Sequence, residues 1–309
     1  MVLTQFQPES FKPTGRIMPF RAWLLATFLL LHFQQACSKP IEEKVYHRVI
    51  SLSPHLTELL FSAGAGDKLV GRVSYSDYPP QAGSLPEVGA YNAISIEKVI
   101  QLKPDLIIAW QSGTRPVDVN RLKQLGFNVI LSDSQKLSDI PNEIERFGKL
   151  LHTESVAEPE AQRLQAILKN LNDHYSSRKQ IRAFYQIWNA PLMTVNHEQF
   201  ISQAMQICGA KNIFSDLPLL AAEVNIETVL QRDPQVILVG GEQAMQNQWL
   251  QDWKKWNSLT AVRNEQIYQL DADRFHRATA RLIDGLEGLC KAIDKARKAM
   301  SKTDKTTKE

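Results

Sequence analysis

The sequence predicts an α/β protein of two Rossmann-like α/β lobes joined by a single long α-helix, and three observations carry that expectation. Short β-branched runs alternate with helix-period segments in both halves of the chain. A glycine-poor stretch of helical periodicity separates the halves. The segment IEKVIQLKPDLIIAW, starting at Ile96, returns without a gap as IETVLQRDPQVILVG, starting at Ile226. A chain of 309 residues with 43% hydrophobic content exceeds the usual size of one domain, so two lobes of roughly 110 to 130 residues are expected.

Residues 1–37 read as an N-terminal extension and signal peptide. AWLLATFLLLHF, from Ala22 to Phe33, is too short to span a bilayer core of ~30 Å, but it fits the apolar core of a secretory signal with Arg21 as its positive flank. Export to the periplasm is expected, with Met18 as an alternative start to Met1. QQAC leaves two outcomes open: acylation of Cys37, which would tether the chain to a membrane, or cleavage after Ala36, which would free it.

The first lobe is expected over 43–153. RVISLS from Arg48, LVGRVS from Leu69, DLIIAW from Asp105 and NVILSD from Asn128 are strand runs, with helical stretches such as TELLFSAGA and VNRLKQLG between them. The inter-lobe helix is expected over 154–180, where Leu164, Ile167, Leu168 and Leu171 fall at helical spacing. Pro159 near its start leaves about twenty-two residues, or ~33 Å, of continuous helix. The second lobe is expected over 181–297, with strand runs RAFYQIW, QVILVG and QIYQLD. Residues 298–309 end the chain as a basic disordered tail.

The repeated stretch is one helix-to-strand unit used twice. Ser95 and Asn225 are suitable N-caps, Ile96, Val99 and Ile100 match Ile226, Val229 and Leu230 as a buried stripe, and Pro104 and Pro234 end each helix. Glu97 and Glu227 then stand in first helical turns, where the macrodipole stabilises them by ~0.5 kcal/mol each.

The net charge of +3 includes the lysine-rich end, so nothing in the charge balance points to nucleic acid. Cys208 and Cys290 are expected to pair in an oxidising compartment, two buried thiols being the other reading. His47, His55, His152, His174, His197 and His276 lack metal-ligand spacing, so no metal site is expected. His55 and His276 are nevertheless both candidates to face a cleft. No Gly-x-Ser-x-Gly elbow, phosphate loop or His-Glu-x-x-His motif is present, so a non-enzymatic role is expected.

VISLSPHLTELLFSAGA, SYSDYPPQA, the ISIEKVIQLKPDLIIAW block and SLTAVRNEQIYQLDADRFHRATAR together resemble the helical-backbone substrate-binding proteins of ABC importers, within them the cobalamin-binding branch. The resemblance covers about Val45 to Ala296. It implies a class III periplasmic binding protein fold with one ligand, cobalamin or a related corrinoid, held in the cleft between the lobes. It also implies a monomer, no cofactor of its own, and a membrane permease and ATPase complex as partner. Siderophore or haem receptors of the same fold are the alternative.

Carried over position by position, the resemblance assigns ligand contacts to Tyr75, Trp110, Asp273 and Arg277, with Tyr91 standing where the family has a tryptophan. Apolar corrin faces suit aromatic rings, and rim amides suit a carboxylate and a guanidinium. Ala221, Ile187 and Met193 replace family aromatics, and Trp188 is the residue that would compensate. Glu97 and Glu227 are assigned to permease docking, the plainer reading being helix-start glutamates. The tryptophans at 249, 253 and 256 have helical spacing and are expected to pack against the second lobe.

Overall fold

A computed structural model describes residues 44–241 and 243–306. The expectations for the signal peptide, Met18 and Cys37 lie outside these residues.

The first lobe is built on β1 (Val49–Ser51) and β2 (Leu69–Arg72), a small hairpin of β3 (Gly89–Ala90) and β4 (Ala93–Ile94), then β5 (Leu106–Trp110) and β6 (Val129–Ser132). The second carries β7 (Ile181–Gln186), β8 (Met193–Val195), β9 (Ala210–Asn212), β10 (Ala221–Glu223), β11 (Val236–Val239) and β12 (Ile267–Gln269). Each lobe holds a four-stranded parallel sheet, in the orders β2-β1-β5-β6 and β9-β7-β11-β12. In chain order both sheets read second, first, third, fourth, so the two lobes share one topology. Strands that are buried on both faces need helices on each side, and the apolar runs read from the sequence supply them.

The repeat is structural down to its hydrogen bonds. Ser95 Oγ accepts from the Lys98 amide at 3.3 Å and Asn225 Oδ1 from the Thr228 amide at 2.8 Å, capping the helices Ile96–Leu102 and Ile226–Arg232. Both helices end in a left-handed residue that is not glycine, Lys103 with φ 48° and Asp233 with φ 40°. Arg48 donates to the carbonyls of Leu102 and Lys103, and Arg182 donates to that of Asp233. Asp105 accepts from the amides of His47 and Arg48, while Gln235 accepts from that of Arg182. Each helix therefore feeds the third strand of its sheet, β5 or β11. One residue of the expected stripe departs, because Ile100 is 47% exposed where its counterpart Leu230 is half-buried.

The connecting helix spans Glu154–Tyr175, a run of 22 residues with Pro159 inside it. It starts before the expected proline and stops short of residue 180. Helix Asp139–Leu151 packs closely on it, since a Cβ at Gly148 would lie 2.2 Å from that of Ala157. A second long helix, Ala280–Thr306, lies alongside and is joined to the connecting helix by the Arg163–Asp284 ion pair. Residues 298–306 continue this helix instead of forming the expected disordered tail, and Met300 is buried. One apolar cluster runs from Val49 and Leu106 through Ala157 and Leu164 to Ala183, Leu238 and Ile293, so the lobes share a continuous core. Cys208 and Cys290 form a disulfide that ties the end of helix Phe200–Ile207 to the closing helix.

Candidate functional site

In a parallel sheet, side chains that recognise ligands gather at the carboxyl ends of strands, beside the point where strand order reverses. In each lobe that point lies between the first and third strands. In the first lobe β1 runs into Ser53 and then His55, in the first turn of helix Pro54–Ser62, while β5 ends on Trp110. The His55 and Trp110 rings meet edge to face at 5.1 Å, and Tyr91 tilts against Trp110 at 6.1 Å. Trp110 Nε1 donates to Asp133 Oδ1 at 2.9 Å, and Ser112 Oγ donates to the same oxygen at 2.8 Å. These bonds fix the indole, which is half-buried. Burial pushes His55 down to about 4, against the smaller opposing pull of Asp133, so the imidazole is neutral at pH 7. Ser53 Oγ lies 2.6 Å from its Nδ1.

Tyr75 lies in the loop after β2 with φ 62°, a backbone region that disfavours residues with a Cβ, and its side chain is 76% exposed. A large ring is thus held out in solvent by a backbone conformation that costs energy. Two positions on, Asp77 reaches the second lobe through Arg277 at 3.1 Å.

The corresponding edge of the second lobe is poorer in open aromatic surface. Beyond β7, Trp188 is exposed, with its Nε1 bonded to the Ala190 carbonyl and its ring edge to face with Trp249. Trp249 and Trp253 are each 4% exposed, packing as their spacing predicts, whereas Trp256 sits at the surface. Trp253 Nε1 donates to Oε1 of the buried Gln186, the last residue of β7, at 2.6 Å. Ala221 is exposed, Ile187 and Met193 are half-buried, and His276 is bonded to the buried Tyr185 hydroxyl.

Arg277 and Asp273 differ in their surroundings. Asp273 is exposed and lies 3.6 Å from Arg277. Arg277 Nη1 donates to Glu58 Oε1 at 2.9 Å, so at least one edge of the guanidinium is committed within the protein. Glu58 is 2% exposed on helix Pro54–Ser62 and also takes two bonds from Arg281, at 2.9 and 2.7 Å. Tyr78 stacks on the Arg281 guanidinium at 3.9 Å. This cluster crosses between lobes, and the sequence reading missed Glu58, Asp77, Tyr78 and Arg281. The available signal was the carboxylate itself, placed amid the apolar residues of LTELLFS, where an unpaired charge would be costly.

Glu97 and Glu227 are exposed in equivalent first turns, and among the described residues neither enters an ion pair. Both therefore present an uncommitted charge to solvent.

A family model described as periplasmic binding protein matches residues 49–274. The vitamin B12-binding protein of Vibrio cholerae is 38% identical over 276 residues, covering 89% of this chain and 98% of that protein. The protein of the same name from Photorhabdus laumondii is 34% identical over 247 residues, covering 80% and 88%. Among solved structures, the periplasmic vitamin B12-binding protein BtuF of Vibrio cholerae superposes with a TM-score of 0.75 at 38% identity, over 82% of this chain and 98% of that one. The periplasmic haem-binding protein HutB of Vibrio cholerae gives 0.71 at 17% identity, over 80% and 98%, which is a likeness of fold alone.

Proposed function

Because this chain belongs to the periplasmic binding protein family, we propose that it captures cobalamin between its lobes and hands it to an ABC importer in the inner membrane. The observation that carries the reading is the 38% identity to a vitamin B12-binding protein over 98% of that protein's length. The open aromatic edge of the first lobe supports it. Tyr75, Tyr91 and Trp110 offer flat apolar faces to one side of a corrin ring, and Trp188 offers one from the second lobe. Exposed Asp273 accepts from rim amides, and Arg277 uses the donors that Glu58 and Asp77 leave free.

Glu97 and Glu227 engage basic residues of the permease, one per lobe. A single exposed ion pair contributes only ~0 to 1 kcal/mol, but two contacts set by one repeated unit fix orientation. Export proceeds through the N-terminal signal, with Cys37 as the site of lipidation when the chain is anchored.

Calorimetric titration of the purified body with cyanocobalamin tests the reading. Sub-micromolar 1:1 binding is expected, and tighter binding of haem or a ferric siderophore in parallel titrations would overturn it. Recovery of unaltered ligand is expected because no turnover is involved. Reversing both charges, Glu97→Lys with Glu227→Lys, is expected to abolish uptake in cells while leaving the titration unchanged; surviving uptake would remove the docking assignment.

A further inference from the structure

The least expected feature of the molecule is a carboxylate buried where two lobes meet. Glu58 belongs to the helix that presents His55 to the aromatic edge, one turn further on, and its bonding runs entirely to the other lobe. Arg281 engages it with both Nε and Nη2, and Arg277 adds a third charge-assisted bond. Tyr78 covers the outer face of Arg281, and Asp77 holds Arg277 from the loop that carries Tyr75. Tyr75 and His55 are thus each within three residues of a member of this junction, Asp77 and Glu58 respectively.

We propose that Glu58 is a positioning residue of the cleft: by holding Arg277 and Arg281 it fixes the angle at which the two ligand-facing edges meet. Buried ion pairs are poor devices for stability, because apolar residues of similar volume commonly do as well or better. They are good devices for geometry, since bidentate guanidinium–carboxylate bonding tolerates little rotation. A second, uncharged tie lies at Gln203, whose side chain accepts from the Leu137 amide at 3.1 Å and donates to the Gln135 carbonyl at 2.8 Å. With neutral bonds there and charged ones at Glu58, the charged junction is the stiffer of the two.

The effect on ligand retention rests on the cobalamin reading above, whereas the effect on lobe angle does not. Spin labels at Lys123→Cys and Lys254→Cys, one per lobe, with Cys37→Ser, report the inter-lobe distance distribution without ligand. Glu58→Gln keeps the shape and removes the charge; Arg281→Gln breaks the same junction from its more exposed side and serves if the first variant folds poorly. Each is expected to broaden the distribution, with little added in the double variant, and to speed cyanocobalamin release about tenfold. A wild-type distribution in both variants, even with a lowered melting temperature, would reduce Glu58 to a packing role and overturn the proposal. A broadened distribution with unchanged release would also overturn it as a positioning residue. Failure of the wild-type protein to bind cyanocobalamin would sink the functional reading and leave the distance measurement to decide the junction.

Discussion

The two lobes are the same machine up to the ends of their strands and different machines beyond them. Their sheets share one strand order, and their third strands are fed by helices with matching caps, matching left-handed ends and matching arginine bonds. At the next residue they part. The strand run that ends on Trp110 in the first lobe reaches Gly240 at the equivalent place in the second, where a Cβ would lie 1.9 Å from the Tyr185 hydroxyl. A side chain is therefore sterically barred at that place in the second lobe, where Trp249 and Trp253 pack inward and Trp188, from the end of another strand, is the exposed ring. Scaffold residues are pinned by backbone hydrogen bonds and packing; edge residues answer only to what they meet.

The disulfide offers the largest test of this asymmetry, because only the second lobe has one. Closing a loop between residues 82 positions apart stabilises by ~4 kcal/mol in the chain-entropy treatment. Cys208→Ser with Cys290→Ser is expected to lose about 2 to 5 kcal/mol in urea denaturation while ligand affinity is preserved. A loss below ~1 kcal/mol would mean that the apolar packing of the closing helix, and not the cross-link, secures the second lobe.

How far the sequence spoke follows the same division. The parallel strands, the connecting helix, the pairing of Cys208 with Cys290 and the capped helices at Ser95 and Asn225 were all legible, since each depends on local periodicity, capping chemistry or compartment. The junction at Glu58 was not, because its partners Arg277 and Arg281 lie more than 200 residues away and no periodicity links them. The end of the closing helix, expected as a disordered tail, was missed for the opposite reason. Its basic end lacks an apolar stripe of its own, yet Met300 still finds the shared core.

The aromatic edges sharpen the comparison in terms of ligand. Trp110→Ala removes a ring already fixed by Asp133 and is expected to weaken cyanocobalamin binding roughly 100-fold, about 2.7 kcal/mol. Trp188→Ala, which removes a ring that also leans on Trp249, is expected to cost less than roughly tenfold. Equal losses in calorimetry would show that both lobes contribute aromatic surface alike.

Acid is the third probe, and His55 gives its sign. The imidazole is held near 4 in the fold against an ordinary value of 6.5. The unfolded chain therefore binds the proton first, and stability contributed by keeping His55 neutral is intact above pH 6.5 and declines as pH falls toward 4. The decline is on the order of 2 kcal/mol, after allowing for partial exposure of the ring. His55→Gln is expected to flatten this part of the stability profile measured by urea denaturation from pH 7 to 4.5. An unchanged slope would place the acid sensitivity in other groups.

The caps give the smallest effect and the most direct test of whether the repeated units are energetically equivalent. Removing a side-chain cap costs about 1 kcal/mol. Asn225 makes the shorter bond to its helix, 2.8 Å against 3.3 Å for Ser95, and its Oδ1 also accepts from the Thr228 hydroxyl at 2.5 Å. Asn225→Ala is therefore expected to cost more than Ser95→Ala, by a few tenths of a kcal/mol in paired denaturation curves. The reverse order would mean that the first-lobe helix, with its exposed Ile100 and thinner apolar stripe, depends more on its cap than the second does. In that case the shared geometry of the two units would conceal unequal margins. Glu97 would then stand on the softer of the two platforms, and the docking proposed for it would be the more sensitive to mutation at the cap.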